Sequence, residues 1–460
     1  MIQLLQEDHM GNFTEEMVDG VRTLTAKTKF DCEHLLNQFM TDEHYDIVVD
    51  DDCDFYAPPI ATIDGAHNNE SNLGFRFRKN VFSKEEMEGA YEGLLGAATL
   101  SNNRGTSTGT IGTQKQGNRE WLYPWQKDIM NLVVRGDLTG KTPQDIMDEY
   151  VAEHGSLDYH WDKRASLWHR GRIDQAGYEY DNFFINLVKN GELTVEKVKE
   201  IKPFITETMY TAAIHSGIAG FYDRYPRIPY GRATNYTESN MKKFELCYPY
   251  MRKLNSLFAE LVPQRYAKQK AVAESIDKRF IVAEDTAFST ITVNKNYRTT
   301  AHYDGANYIP GFSNLSTVTK GDIGWEGGLF VLPQFRVAVN LRPGDALLVD
   351  NAGIIHGNTE MIPPAGLDVE DMERISMVSY MRDGMSALRS KEYEDARRDY
   401  VTERSRNKDH ALWREKWNGV SEGMWADEEW GNYLASKGMT DEDGLVGQVK
   451  VEESTLEDFF

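Results

Sequence analysis

Between residues 286 and 381 the chain is written in short segments that suit strands and little else. The stretches 286–300 (TAFSTITVNKNYRTT), 328–340 (GLFVLPQFRVAVN), 345–350 (DALLVD) and 374–381 (RISMVSYM) are β-branched or alternating, with Gly, Pro and Asp turns between them. They predict a β-rich core. The run EGGLFVLPQFRVAVNLRPGDALLVD alternates strand and turn as a double-stranded β-helix would.

The flanks differ. Residues 1–80 mix helical stretches with the acidic run DDDCD at 50–54, which reads as a solvated loop or edge rather than a metal site. Residues 81–280 look mainly helical, with Ser83 as N-cap and a later run MRKLNSLFAELVPQRYAKQKAVAESI at helical spacing. From about Met385 the pattern is helical again through Trp417 and Trp430 and ends in an acidic tail. The expected class is α+β, a double-stranded β-helix (jelly-roll, cupin-like) core flanked by helices. The expected organisation is an N-terminal extension (1–80), a central domain (81–385, with helical scaffold 81–280 and β-helix core 281–385), a helical region (386–445) and a tail (446–460).

With 52 aromatic residues (9 Trp, 23 Tyr, 20 Phe) and 40% apolar content, global disorder is excluded. Cys32, Cys53 and Cys247 are an odd set without CxxC spacing, which fits neither a disulfide framework nor a structural zinc site and suggests a reducing compartment. The opening MIQLLQEDHM carries Glu7 and Asp8 where a secretory leader needs a basic start, and no stretch approaches membrane-spanning length. A cytoplasmic or nuclear location is the expectation. The net charge of −22 works against polyphosphates, so any nucleic-acid role needs a local basic face. Residues 224–243 offer one: Arg224, Arg227, Arg232, Lys242 and Lys243 interleave with Tyr225, Tyr230 and Tyr236, although a solvated loop has the same composition.

Two glycine-rich stretches are decoys. GDLTGKT (136–142) has three residues between its glycines where a phosphate loop has four, and Thr142-Pro143 reads as a helix start. NRGTSTGTIG (103–112) lacks the GxGxxG fingerprint.

Chemistry is carried by His302-Tyr303-Asp304, just after an alternating strand, and by His356 after DALLVD. Residues two apart on an extended segment point the same way, so His302 and Asp304 can face one ion, with His356 arriving from a neighbouring strand. Two imidazoles and a carboxylate on one face of iron(II) leave the other face open for a co-substrate and dioxygen. Downstream, Arg374 and Ser376 share a strand face and suit the distal carboxylate of 2-oxoglutarate, with Arg382 as the rival anchor. The set predicts an iron(II)- and 2-oxoglutarate-dependent dioxygenase rather than a non-catalytic binding module.

His302-Tyr303-Asp304-Gly305-Ala306-Asn307 resembles the His-x-Asp-x-x-Asn signature of the TET methylcytosine dioxygenases and kinetoplastid base-J-binding proteins. TAFSTITVNKNYRTTAHYD, GGLFVLPQFRVAVNLRPGD and HGNT are similar to non-animal members, including viral ones, and NRGTSTG (103–109) resembles an upstream Arg-Gly motif. The resemblance covers residues 100–385 in scattered blocks and lacks the cysteine-rich zinc region of the animal proteins. It implies oxidation of a pyrimidine 5-methyl group in DNA, 5-methylcytosine or thymine, on a flipped or single-stranded base. It makes Asn307 the base-reading candidate, with a loop-capping asparagine as the other reading, and adds Arg104 of the Arg-Gly motif as a substrate contact. Arg232 is a candidate contact from the basic segment 224–243, and Asn294 and Arg298, on the strand entering the metal site, are open to 2-oxoglutarate, to substrate or to plain strand exposure. The alternative is the same chemistry on a protein side chain or small metabolite. Leu456, Phe459 and Phe460 resemble the anchors of sliding-clamp-binding peptides, with Glu453 where the usual glutamine stands; a packed terminus is the other reading.

Overall fold

The computed structural model describes residues 12–58, 70–101, 104–115, 143–154, 207–211, 213–224, 228–305, 307–321, 323–406 and 424–446. The chain divides into two units, one of residues 1–109, 212–398 and 434–460, the other of 110–211 and 399–433.

In the first unit β1 (Phe13–Val18) and β2 (Val21–Ala26) form a hairpin, followed by β3 (Ile47–Val49), β4 (Cys53–Tyr56), β5 (Leu73–Arg78) and β6 (Leu100–Ser101). The second unit contributes β7 (Thr110–Lys115) paired with β8 (Glu207–Thr211), the helix Pro143–His154, and an aromatic cluster of Tyr400, Trp425, Trp430 and Tyr433. The first unit resumes with β9 (Ile214–Arg224), β10 (Ile228–Ala233), β11 (Thr290–Lys295), β12 (Ser313–Thr319) and β13 (Glu326–Gly327). It continues through β14 (Phe330–Leu332), β15 (Val337–Val339), β16 (Ala346–Val349), β17 (Gly357–Asn358), β18 (Met361–Ile362) and β19 (Arg374–Tyr380).

Among the described residues the large sheet runs β1-β2-β4-β5-β16-β12-β19-β11-β9-β10, with β6 on β9, and a smaller one runs β17-β14-β15-β3. From β11 onward the chain passes back and forth between them: β11, β12, β16 and β19 lie in the large sheet, β14, β15 and β17 in the small one. The segment after β11 joins β17's side through a His302–His356 bridge. The inner faces meet in one apolar cluster, with Phe55, Phe75, Phe77, Leu347 and Val349 on one side and Phe330, Leu332, Val337 and Val339 on the other. That winding between two facing sheets is the double-stranded β-helix expected from the strand-and-turn pattern. Truncating a fully buried ring such as Phe75 to alanine costs about 3–5 kcal/mol.

The outer face of the large sheet is covered by helices. In Tyr248–Leu261 the buried residues Tyr250, Met251, Leu254, Leu257 and Phe258 fall on one stripe, which packs with Ile291, Val293, Ile375 and Met377 of the sheet. The helix Lys84–Leu94 joins the same cluster. Its N-cap is Ser83, whose hydroxyl accepts from the Glu86 amide while Glu86 accepts from the Ser83 amide.

Two stretches differ from expectation. Residues 1–80 supply β2, β4 and β5, which extend the large sheet beyond β16, and β3, which edges the small one. Residues 81–280 are not mainly helical throughout, because β9 and β10 add strands beyond β11. β9 (IHSGIAGFYDR) carries Gly217 and Gly220, which weaken its strand signal. Gly217 is needed because a Cβ there would lie 2.0 Å from the Ala97 carbonyl oxygen. The acidic run forms pairs: Asp50 accepts from Lys79, and Asp54 from Arg76 and Arg78. No helix of the described residues is long and apolar enough to cross a membrane.

Candidate metal and co-substrate site

Strand periodicity builds the site. On β19 Ile375 and Met377 belong to the helix-facing core, so Arg374, Ser376, Val378 and Tyr380 take the opposite face and line a cavity of about 390 Å³. β11 does the same, with Ile291 and Val293 turned to the helices and Thr292 and Asn294 to the cavity. The two strands are antiparallel neighbours in register, Asn294 opposite Ser376.

His302 and His356 exchange backbone hydrogen bonds, His302 N to His356 O at 2.9 Å and His356 N to His302 O at 3.0 Å, which sets their rings side by side with centroids 4.4 Å apart. Each Nδ1 lies against a backbone carbonyl, His302 with Thr300 O at 2.7 Å and His356 with Ile354 O at 3.0 Å. With Nδ1–H donating there, each Nε2 is left as a lone-pair donor. Both Nε2 atoms converge on Asp304 Oδ1, at 3.6 Å from His302 and 3.8 Å from His356, and one ligand atom from each residue lies within 4.8 Å of the others. Asp304 Oδ2 accepts from Asn351 Nδ2 at 3.0 Å, and the Asp304 amide donates to Asn351 O. Phe330 stacks on His356 at 5.3 Å and closes one side.

The electrostatics follow. Burial would raise the Asp304 carboxyl, but the adjoining His302 and His356 and the Asn351 amide hold it at about 2. Burial and then the neighbouring His302 push His356 down to about 4, so it is a neutral ligand at physiological pH. For His302 burial acts downward but the Asp304 carboxylate outweighs it, and the net shift is upward. Two neutral-capable imidazole nitrogens and one anionic oxygen on one side of a cavity fit a divalent iron with open positions. Among the described residues no other His/Cys/Asp/Glu group of three or more has this geometry.

At the far end of β19, Arg374 is 4% exposed, its Nε is buried without a hydrogen-bond partner, and burial together with Arg342 lowers its pKa to about 10. A buried, unmet guanidinium facing a cavity calls for an anion. Arg382, the rival, donates to the Asp223 carbonyl at 2.8 Å and pairs with its carboxylate, and it does not line the cavity.

Other candidates fall into two groups. Asn307, Arg104 and Asn294 line the cavity with Ser376. Asn307 Nδ2 donates to Ser313 Oγ at 3.0 Å and its backbone bridges to Arg382, beside Tyr380. Arg104 donates to Ser216 Oγ at 2.6 Å, and Ser216 donates to Asn294 Oδ1 at 2.5 Å. Arg298 lies outside the lining: its guanidinium donates to Met40 O and Asn358 O and sits over the Phe39 ring, ties that hold loops together. Arg232 is also away from the cavity, bound to Asn235 and ion-paired with Glu238. In the same segment Tyr230 is buried and Tyr236 donates to Gly93 O, so neither ring is presented for stacking, while Tyr225 and Arg227 lie outside the described residues. GDLTGKT, Leu456, Phe459 and Phe460 lie outside them too.

Asn351 and Tyr380 are cavity residues that motif spacing did not single out. Tyr380 was legible as the fourth alternate residue of β19 counting from Arg374; Asn351, just past β16, had only its position after a strand end.

Residues 217–383 match the Tet_JBP family model, described as the oxygenase domain of the 2OGFeDO superfamily. The bifunctional helicase and thymine dioxygenase JBP2 of Leishmania tarentolae is 30% identical over 343 residues, 71% of this chain and 29% of that protein. JBP2 of Leishmania infantum is 28% identical over 256 residues, 54% of this chain and 22% of that protein. The thymine dioxygenase JBP1-B of Trypanosoma cruzi is 31% identical over 170 residues, 36% of this chain and 19% of that protein. The chain thus spans less than a third of the length of each of these relatives. A solved structure of NgTET1 in complex with 5mC DNA aligns over 85% of this chain and 92% of that one, at 10% identity and a TM-score of 0.36.

Proposed function

We propose that this chain, whose residues 217–383 match the Tet_JBP oxygenase domain of the 2OGFeDO superfamily, hydroxylates the 5-methyl group of a pyrimidine in DNA, 5-methylcytosine or thymine. The observation that carries the proposal is the convergence of His302, Asp304 and His356 at one end of a cavity whose other wall holds the unpartnered Arg374. The thymine dioxygenases among the relatives support the substrate class.

Iron(II) would be held by His302 Nε2, His356 Nε2 and Asp304 Oδ1. With 2-oxoglutarate and dioxygen, bound iron supplies the oxidising power that replaces one methyl hydrogen by hydroxyl while the keto acid leaves as succinate and carbon dioxide. The chain's own residues position the reactants. Arg374 and Ser376 fix the remote carboxylate of the keto acid. Asn294 faces Ser376 across the β11–β19 pair and is tied through Ser216 to Arg104, so both belong with the keto-acid wall. Asn307 and Tyr380 lie together at the opposite end of β19 and would bound the base, Asn307 through its amide and Tyr380 through its ring. A cavity of about 390 Å³ has room for one base and a keto acid, not for a duplex, so the target base must be flipped out or single-stranded. Leu456, Phe459 and Phe460 are proposed as a docking peptide for a sliding clamp, which would offset the repulsion between DNA and a chain of net charge −22. Action on DNA would place the chain in the nucleus or cytoplasm.

Nucleoside mass spectrometry of DNA incubated with the chain, iron(II) and 2-oxoglutarate tests the proposal, with thymine-only and 5-methylcytosine-containing substrates in parallel. A hydroxymethyl product that disappears with His302→Ala is expected. Succinate release that ignores DNA but responds to a peptide or metabolite would replace DNA by that substrate.

A further inference from the structure

Behind Arg374 lies a second buried cation. Trp325 is 8% exposed, and the guanidinium carbons of both Arg342 and Arg374 lie over its ring, 4.9 Å and 5.4 Å from the centroid. Three donors of this group are buried without a hydrogen-bond partner: Arg374 Nε, Arg342 Nη1 and Trp325 Nε1. All are donors, so no rearrangement among themselves satisfies them; an acceptor from outside does.

The carboxylates near Arg342 are otherwise engaged. Asp345 accepts the backbone amides of Asn80 and Arg342, and Asp50 accepts Lys79 Nζ and Asn340 Nδ2. The guanidinium of Arg342 makes one hydrogen bond, from Nη2 to Gly327 O at 3.0 Å. The backbone is built to hold the indole there. Gly327 and Gly328 have φ of +65° and +63°; a Cβ on Gly327 would lie 2.1 Å from Glu360 O, and one on Gly328 would meet Met361 and Trp325 Nε1. Gly328, Leu341 and Arg374 all line the cavity, so the Trp325–Arg342 pair stands directly behind its wall.

We infer that Arg342 and Trp325 complete, with Arg374, a two-cation anchor for the remote carboxylate of the keto acid. Arg342 is then a positioning residue that sets the preference for a dicarboxylate over a monocarboxylate co-substrate. Arg374 touches the carboxylate. The Trp325 ring lies beneath the Arg374 guanidinium, and Arg342 adds the second positive charge in a water-poor setting where it is weakly screened. A single cation suffices to bind a carboxylate; Arg342, on which Asp50 and Asp345 also act, adds positive potential on the cavity side, where no carboxylate of the described residues hydrogen-bonds to it. The inference rests on the assignment of the keto acid to the Arg374 wall.

The test is calorimetric binding of 2-oxoglutarate and of 2-oxobutyrate, which lacks the remote carboxylate, to the full chain loaded with manganese(II). Wild type is expected to prefer 2-oxoglutarate. Arg342→Gln should weaken 2-oxoglutarate about tenfold while changing 2-oxobutyrate by less than about twofold. Its melting midpoint without keto acid should change little, because the glutamine amide removes a buried charge but keeps a donor for Gly327 O. Trp325→Leu should give a similar selective loss and serves if Arg342→Gln does not fold. If wild type prefers 2-oxoglutarate and both folded variants keep the full preference, Arg342 and Trp325 are only structural and the inference is overturned while Arg374 stands. If wild type itself shows no preference, the Arg374 assignment falls with it.

Discussion

Asn351 donates its side-chain amide to Oδ2 of Asp304 at 3.0 Å and so leaves Oδ1 as the oxygen facing both imidazoles. Asn351 is 1% exposed, and its own backbone carbonyl takes the Asp304 amide, so one residue fixes both ends of the ligand. Asn351→Ala should leave the fold intact and weaken iron(II) or cobalt(II) binding about 10–100-fold, measured by anaerobic titration. Unchanged affinity would mean that the His pair alone orients the carboxylate.

Arg374 and Arg382 make opposite predictions. Arg374 is unpartnered, whereas Arg382 is committed to Asp223. On the proposed keto-acid assignment, Arg374→Gln should raise the KM for 2-oxoglutarate by about tenfold or more, the loss of one buried charge-assisted contact. Arg382→Gln should leave that KM within about threefold, because loss of the Asp223 pair loosens the β9 end rather than the keto-acid wall. Steady-state kinetics with the proposed DNA substrate at saturation separates the two.

Gly327 is held at φ +65° with a backbone oxygen where a Cβ would go. Gly327→Ala is expected to cost about 2–4 kcal/mol in urea unfolding, from left-handed strain plus the displacement of the Glu360 carbonyl. Gly366, also at positive φ but with open space around it, should cost about 1 kcal/mol on the same change.

Asp277 supplies an acid-labile link. Burial would raise its pKa, but the side-chain and backbone hydrogen bonds of Arg279 and the Lys391 amide bring it to about 2, from an ordinary 3.8. A depressed carboxylate stabilises the fold fully above its unfolded value and loses that contribution as pH falls from about 4 towards 2. After allowance for solvent screening the loss is about 1–2 kcal/mol. Unfolding followed against pH should therefore show a shallower acid limb for Asp277→Asn, with lower stability at pH 7.

The parts of this structure that the sequence reveals are those whose signal is local. The alternation of β11 and β19 follows from one face meeting helices and the other a cavity, and the His302–Asp304 pair sits two apart on extended chain. β12 (SNLSTVT) escapes the same reading because five of its seven residues are Ser, Asn or Thr although six are buried, so no face is marked apolar. β5 was hidden for another reason: its partner β16 is far along the chain, Phe75 opposite Val349 and Arg78 opposite Ala346, and pairing over that distance leaves no trace in periodicity; β2 and β4 join the sheet through β5. Arg232 and Arg298 look like ligand-binding cations in one dimension, yet Glu238 neutralises the first and loop carbonyls occupy the second. Trp325, Arg342 and Arg374 are distant in sequence and meet only through the fold.

The most direct test of the account is an anaerobic titration of the metal-free chain with iron(II) in the presence of 2-oxoglutarate, followed by visible absorption. A metal-to-ligand charge-transfer band that saturates at one iron per chain, and is abolished in His302→Ala and Asp304→Ala but not in Arg232→Ala, is the expected result. A wild-type chain that stays colourless, or a band that survives both ligand substitutions, would contradict it.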